Sequence, residues 1–179
     1  MKNTICFFCD ISGTLNGTEK NKEVDYQNLN KNLQLLMNKF NADCLLFSLV
    51  SSDNYHSVND TMKKIRESLD SPILLRKQFF DKGYILDNEP YYHSSCKTDQ
   101  IMGFLAEAEK DFNIKSIIYA DDCTIFHDIL TILAEEKYHI TSIIPQNNEG
   151  LCELNKLLET FIQQKGKTLS MGINPLQHK

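Results

Sequence analysis

The sequence predicts an α/β protein with a Rossmann-like, doubly wound parallel sheet in a single domain. Three observations carry the prediction. Short apolar runs alternate with amphipathic stretches along most of the 179 residues. The amphipathic stretches repeat near 3.6 residues, the period of a helix with one buried face. Two of the apolar runs, Ile5 to Cys9 and Ile117-Ile118-Tyr119-Ala120, stop abruptly at carboxylates. Strands separated by helices imply a parallel sheet covered on both faces, with each crossover expected to be right-handed.

Thr4–Cys9 reads as the first strand and the polar stretch Asn16–Glu23 as a loop. Tyr26–Phe40 carries Leu29, Leu33, Leu36, Met37 and Phe40 at helical spacing. Asp43–Val50 reads as the second strand. Ser52 or Asp53 would cap a helix running to about Leu69, and Pro72 follows as a stop. Ile73–Leu86 reads as an irregular or hairpin insertion around Asp81-Lys82-Gly83. Lys97–Phe112 is a helix through Ile101, Phe104, Leu105 and Ala108, and Ser116–Ala120 is a strand. Ile125–Lys137 is a helix read through Ile129, Ile132 and Leu133; Ile140–Ile144 is the last strand, stopped by Pro145; Gly150–Gln164 is the last helix. Residues 1–165 thus form one α/β domain, with 71–95 as a small cap or recognition insertion. Residues 166–179, with two glycines and a proline, read as a mobile tail.

Composition excludes several classes. Hydrophobic residues at 41% and charged residues at 24% suit a globular domain. A net charge of −5 without a basic block argues against nucleic-acid binding through phosphate neutralisation. No apolar run is long enough to span a bilayer, and the chain reaches Asp10 too soon for a signal-peptide apolar region. Cys6 and Cys9 form a C-x-x-C, but it lies in a strand-like run and no second ligand pair completes a zinc site. Six reduced thiols and a cytoplasmic location are the simplest reading.

The chemistry concentrates where strands end. In open α/β sheets ligands bind outside the carboxyl ends of strands. Asp10 ends strand one and is followed by Ile11-Ser12-Gly13-Thr14-Leu15, in which Gly13 permits a sharp turn and Thr14 can hold it. Strand two ends in Ser51-Ser52, Lys97 opens a helix after a loop, and Asp121-Asp122 end a later strand. Two carboxylate sites, a hydroxyl and an ammonium around one crevice suit a magnesium-phosphate site. Lys97 is expected to face a charged ligand rather than the core, so that its replacement costs little stability. His56 and His127 read as surface or core histidines, and Tyr84, Tyr91, Tyr92 and His93 as a recognition rim.

In order and type these four segments resemble the motifs of the haloacid dehalogenase-like superfamily of phosphatases and phosphotransferases, over roughly residues 4–145. The resemblance implies that Asp10 attacks phosphorus and forms an aspartyl-phosphate. It implies that the Asp10 carboxylate, the Ser12 carbonyl and Asp121 hold Mg²⁺, with Asp122 on a metal water or orienting Asp121. Thr14 would support the phosphate site; Ser51, preferred over Ser52 or Ser48, and Lys97 would grip the phosphoryl oxygens. The chain departs from the family where phosphatases carry a second Asp two positions after the nucleophile. Here that position is Ser12, which is no practical acid or base, a role worth roughly 10²–10⁴-fold. The Asp-x-Ser-Gly-Thr form is similar to the ATP-driven ion-pump branch, without its membrane segments. The expectation is a Mg²⁺-dependent phosphohydrolase with an open site, taking aryl phosphates or a bulky, macromolecular phosphosubstrate. The alternative is a catalytically weak metal- and phosphate-binding module.

Overall fold

The computed structural model describes residues 1–51, 55–75, 97–164 and 171–172. Ser52 and Asp53, residues 76–95 with the tyrosine-histidine rim, and most of the tail lie outside the described residues.

Among the described residues, six parallel strands form one sheet at the centre. In chain order the elements are β1 (Asn3–Cys9), α1 (Glu23–Lys39), β2 (Cys44–Leu49), α2 (Tyr55–Arg66), β3 (Ile73–Leu75), α3 (Lys97–Ala108), β4 (Asn113–Ala120), α4 (Thr124–Ala134), β5 (His139–Ile144), α5 (Leu151–Gln163) and β6 (Met171–Gly172). The strand order is β3-β2-β1-β4-β5-β6, and every pairing is parallel. The chain therefore reverses direction across the sheet between β1 and β4, which makes their carboxyl ends the topological switch point.

Burial on both faces explains why the central strands are nearly continuously apolar. One face carries Ile5, Phe7, Cys9, Phe47, Ile118 and Ile143 against Leu29, Leu33 and Leu36 of α1, Met62 and Ile65 of α2, and Leu154, Leu158 and Phe161 of α5. The other carries Cys6, Phe8, Leu46, Ile117 and Tyr119 against Ile101, Phe104 and Leu105 of α3 and Leu130 and Ala134 of α4. Phe7 stacks on Phe47 at 5.4 Å between ring centroids, and Phe8 meets Phe104 edge-on at 5.2 Å. Truncating any of these buried leucines to alanine should cost about 2–5 kcal/mol. Cys6 and Cys9 are buried on opposite faces of β1, so the C-x-x-C spacing cannot present two thiols to one partner.

Several boundaries differ from the sequence reading. Helix α1 starts at Glu23, within the stretch read as loop, because the Asp25 carboxylate accepts the Lys22 N–H at 2.7 Å and satisfies one orphan donor of the first turn. It ends at Asn41 in the left-handed region (φ 50°), with the Ala42 N–H donating to Met37 O at 2.9 Å. Ile73–Leu75, read as the opening of an irregular or hairpin insertion, extends the main sheet as β3 beside Leu45–Phe47 of β2, and the rest of that stretch, 76–86, lies outside the described residues. Helix α4 buries His127, Leu130 and Ala134, whereas Ile132 and Leu133 are exposed at 77% and 53%, so the predicted inward stripe faces outward. Met171–Gly172, within the predicted tail, pairs with Ile143–Ile144 as β6.

The crossovers do not all share one hand. Steps β1 to β2 and β2 to β3 move toward one edge with α1 and α2 on the first face, and β4 to β5 moves toward the other edge with α4 on the second. These three have the same hand. The step β5 to β6 continues outward while α5 lies on the first face against α1, so its hand is opposite. Packing on α1, with a buried Asn32–Asn155 side-chain hydrogen bond of 3.1 Å, holds α5 on that face.

Candidate active site

Register places the acidic side chains together. Cys9 and Ala120 are partners in the β1–β4 ladder, and the ladder continues one step further, with the Asp10 N–H donating to Ala120 O at 2.9 Å. Asp121 N–H donates to Ile143 O at 3.1 Å, extending β4 against β5 in the same way. Asp10 and Asp121 therefore leave adjacent strand ends side by side. One carboxylate oxygen from each of Asp10, Asp121 and Asp122 lies within 4.8 Å of the other two.

Lys97, the first residue of α3, closes this cluster. Its Nζ is 2.9 Å from Asp10 Oδ1 and 2.9 Å from Asp121 Oδ2. It also lies 4.9 Å from the centroid of the Phe126 ring, a cation–π distance. Lys97 is 8% exposed: it faces the carboxylates from a buried position, which argues against the expectation that its replacement costs little stability. Burial alone pulls its pKa down, but Asp10 and Asp121 outweigh that and raise it, so the ammonium stays charged.

The two strand-end aspartates differ in their surroundings. Asp10 is 3% exposed, with the Thr14 hydroxyl 3.5 Å from Oδ2. Burial first, then the charge of Asp121, push its pKa from 3.8 up to about 7 against the opposing pull of Lys97. Asp121 is fully buried and densely partnered. Its Oδ2 accepts Tyr119 Oη at 2.6 Å in addition to Lys97, and its Oδ1 accepts the Cys123 N–H at 2.8 Å. His127 Nε2 lies 2.8 Å from the Asp121 carbonyl oxygen. A carbonyl only accepts, so Nε2 carries the proton, and burial lowers the His127 pKa to favour this neutral form. Its Nδ1 has no hydrogen-bond partner among the described residues. Its ring sits against Tyr119 at 4.6 Å between centroids. Burial, then Asp121, raises the Tyr119 pKa, so the phenol is a permanent donor.

Asp122 is exposed and stands over Gly13. Partial desolvation of its carboxylate, with Asp121 adding, raises its pKa, while a hydrogen bond with Asp10 opposes the shift. The turn beneath it is tight: Gly13 has φ +80°, its N–H donates to Asn16 O at 2.7 Å, and Asn16 N–H donates to Ile11 O at 2.8 Å. Ser12 is exposed on this turn.

Among the serines proposed for the second motif, Ser48 lies inside β2, its hydroxyl directed at Leu49 O at 3.4 Å. Ser51 lies just past the carboxyl end of β2 and is buried. Gln100, one turn after Lys97, donates to Ser51 O at 3.0 Å and accepts the Ser51 N–H at 3.3 Å. One helix thus fixes both Lys97 and the strand-two serine. Gln100, Tyr119, Phe126 and His127 were not among the predicted site residues. A polar residue inside an apolar strand end, two positions before the carboxylate, is the signal that could have marked Tyr119.

No family model matches this chain, and no curated protein matches it. Among solved structures, a de novo designed protein with a P-loop NTPase fold, determined in solution by NMR, aligns over 91% of this chain and 93% of its own. The two are 11% identical with a TM-score of 0.40, a likeness too low to bear on function.

Proposed function

We propose that the protein is a Mg²⁺-dependent phosphohydrolase that works through an aspartyl-phosphate on Asp10. The observation that carries the reading is the bridge from Lys97 Nζ to Asp10 and Asp121 at the switch point of a doubly wound sheet. The order of the four sequence motifs resembling the haloacid dehalogenase-like superfamily supports it.

The donor set suits a hard divalent cation. Three carboxylates converge within 4.8 Å, and the Lys97 ammonium offsets only part of their charge. Asp10, Asp121 and Asp122, with the Ser12 carbonyl, would hold the ion. When bound, Mg²⁺ supplies positive charge against the phosphoryl oxygens. With a pKa near 7, Asp10 needs more positive charge than Lys97 provides to be fully ionised at neutral pH.

In the reaction an Asp10 oxygen attacks phosphorus and the bond to the leaving oxygen breaks, that oxygen keeping the electron pair. Lys97 swings its ammonium onto the phosphoryl oxygens, and Ser51, held by Gln100, offers its hydroxyl to them. A water oxygen then bonds to phosphorus as the bond from phosphorus to the Asp10 oxygen breaks, Asp10 keeping that electron pair, and the water proton leaves with the phosphate or to solvent. Ser12 cannot protonate the leaving oxygen, so groups that depart as stable anions are favoured. Aryl phosphates, or a bulky phosphosubstrate that itself excludes water, fit this requirement.

A second reading, a binding module that retains the metal-phosphate pocket with little turnover, is favoured by Ser12 at the acid position. A phosphate-release screen with Mg²⁺ across aryl, sugar, nucleotide and phosphoprotein substrates separates the two. Release that disappears in Asp10→Asn supports the enzyme. Phosphate or vanadate binding without release supports the module.

A further inference from the structure

We propose that Tyr119 makes Asp121 a one-oxygen ligand and thereby sets the site's preference for Mg²⁺ over Ca²⁺. The inference rests on the metal site of the preceding section and deepens it. A carboxylate has about four lone-pair positions. On Asp121, Oδ2 has both of its positions taken, by Lys97 Nζ at 2.9 Å and Tyr119 Oη at 2.6 Å. Oδ1 has one taken, by the Cys123 N–H at 2.8 Å. Among the described residues one position remains, on Oδ1, so Asp121 can meet a cation through a single oxygen.

That count discriminates between the two common divalent cations. Mg²⁺ takes six oxygens in near-ideal octahedral geometry, whereas Ca²⁺ takes six to eight and often receives both oxygens of one carboxylate. A bound phosphoryl group will draw Lys97 toward itself and release one position on Oδ2. Tyr119 will not leave, because its ring is fully buried and held against His127 at 4.6 Å, and His127 is itself pinned to the Asp121 carbonyl. The phenol therefore guards Oδ2 at the stage when the lysine is away. Tyr119 acts through Asp121 and is a positioning residue.

The test is titration of the native protein and Tyr119→Phe with Mg²⁺ and with Ca²⁺ by calorimetry, alone and with vanadate. The phenylalanine keeps the ring packing and removes the donor. Changing an outer partner of a metal ligand typically alters affinity by about 10–100-fold. The affinity ratio of Ca²⁺ to Mg²⁺ should rise about tenfold or more in Tyr119→Phe, most clearly with vanadate present. An unchanged ratio would overturn the inference while leaving Mg²⁺-dependent phosphate release intact. Should Tyr119→Phe not fold, the native protein still decides: Ca²⁺ binding as tight as Mg²⁺ overturns the inference, and clear preference for Mg²⁺ supports it. A native protein that binds neither cation overturns both the inference and the metal-dependent reading.

Discussion

The Asp122 carboxylate occupies the space that a side chain at residue 13 would need. A Cβ built on Gly13 falls 2.3 Å from Asp122 Oδ2, far inside van der Waals contact, and Gly13 already has φ +80°. The first turn of the site and its last carboxylate are therefore fitted to each other across the switch point. Gly13→Ala should cost about 1–2 kcal/mol from the backbone alone, plus the collision. Urea denaturation of Gly13→Ala, Asp122→Ala and the double variant separates the parts. The double variant should be more stable than Gly13→Ala by itself. If Asp122→Ala gives Gly13→Ala no relief, the two residues are not in contact.

Lys97 should matter for stability as well as for binding. Its side chain is 9% exposed and bridges two carboxylates that are more buried still. Removing one partner of such a group leaves buried charge uncompensated, at about 3–5 kcal/mol. Lys97→Met should lower the melting temperature markedly, and millimolar Mg²⁺ should restore part of the loss by neutralising Asp10 and Asp121. A melting temperature unchanged by the substitution would show that the ammonium does not hold the carboxylates together.

Asp10 predicts a pH dependence of folding. Its pKa rises from 3.8 to about 7 in the folded protein, from burial first and Asp121 next. The folded state thus binds the Asp10 proton more tightly than the unfolded chain does. That contribution is fully present below about pH 4 and is lost as pH rises through about 7. Relative to Asp10→Asn, the native protein should lose stability steadily between about pH 4 and about pH 7, and Mg²⁺ should flatten the slope. Parallel stability profiles for the two proteins would contradict the assigned shift.

Much of this arrangement was legible in the sequence, and the misses have physical causes. Asp10 and Asp121 stood out because an apolar strand that stops at a carboxylate has few structural reasons to do so. The doubly wound architecture followed from the alternation of periods. Lys97 was found through motif order, but its burial was not visible, since a lysine opening a helix looks solvated until the strands opposite are placed. Tyr119 read only as part of an apolar strand, and His127 as a surface or core histidine. The face of α4 was misjudged because that helix has two apolar stripes, and the one that turned inward includes His127, which satisfies the Asp121 carbonyl. Strand β3 was read within an irregular or hairpin insertion because three residues, Ile73–Leu75, give no period, and pairing with β2 is what defines them.

On the proposed mechanism, Ser12 would set the leaving-group preference. With no acid at this position, native turnover should fall steeply as leaving-group pKa rises from a phenol, near about 10, to an alkyl alcohol. Ser12→Asp should raise alkyl phosphate hydrolysis by up to roughly 10²-fold and aryl phosphate hydrolysis by less. Rate profiles across a leaving-group series for both proteins make the comparison. Equal native rates on alkyl and aryl esters would mean that another residue delivers the proton.

Covalent capture of the intermediate bears most directly on the role of Asp10. The native protein is mixed with Mg²⁺ and an aryl phosphate, quenched in acid, digested and analysed by mass spectrometry. The expected result is a phosphoryl group on the peptide carrying Asp10, released by hydroxylamine as an acyl phosphate should be, absent from Asp10→Asn, and longer-lived in the native protein than in Ser12→Asp. Undiminished phosphate release by Asp10→Asn, or a phosphoryl group found on a different residue, would contradict the nucleophilic role of Asp10.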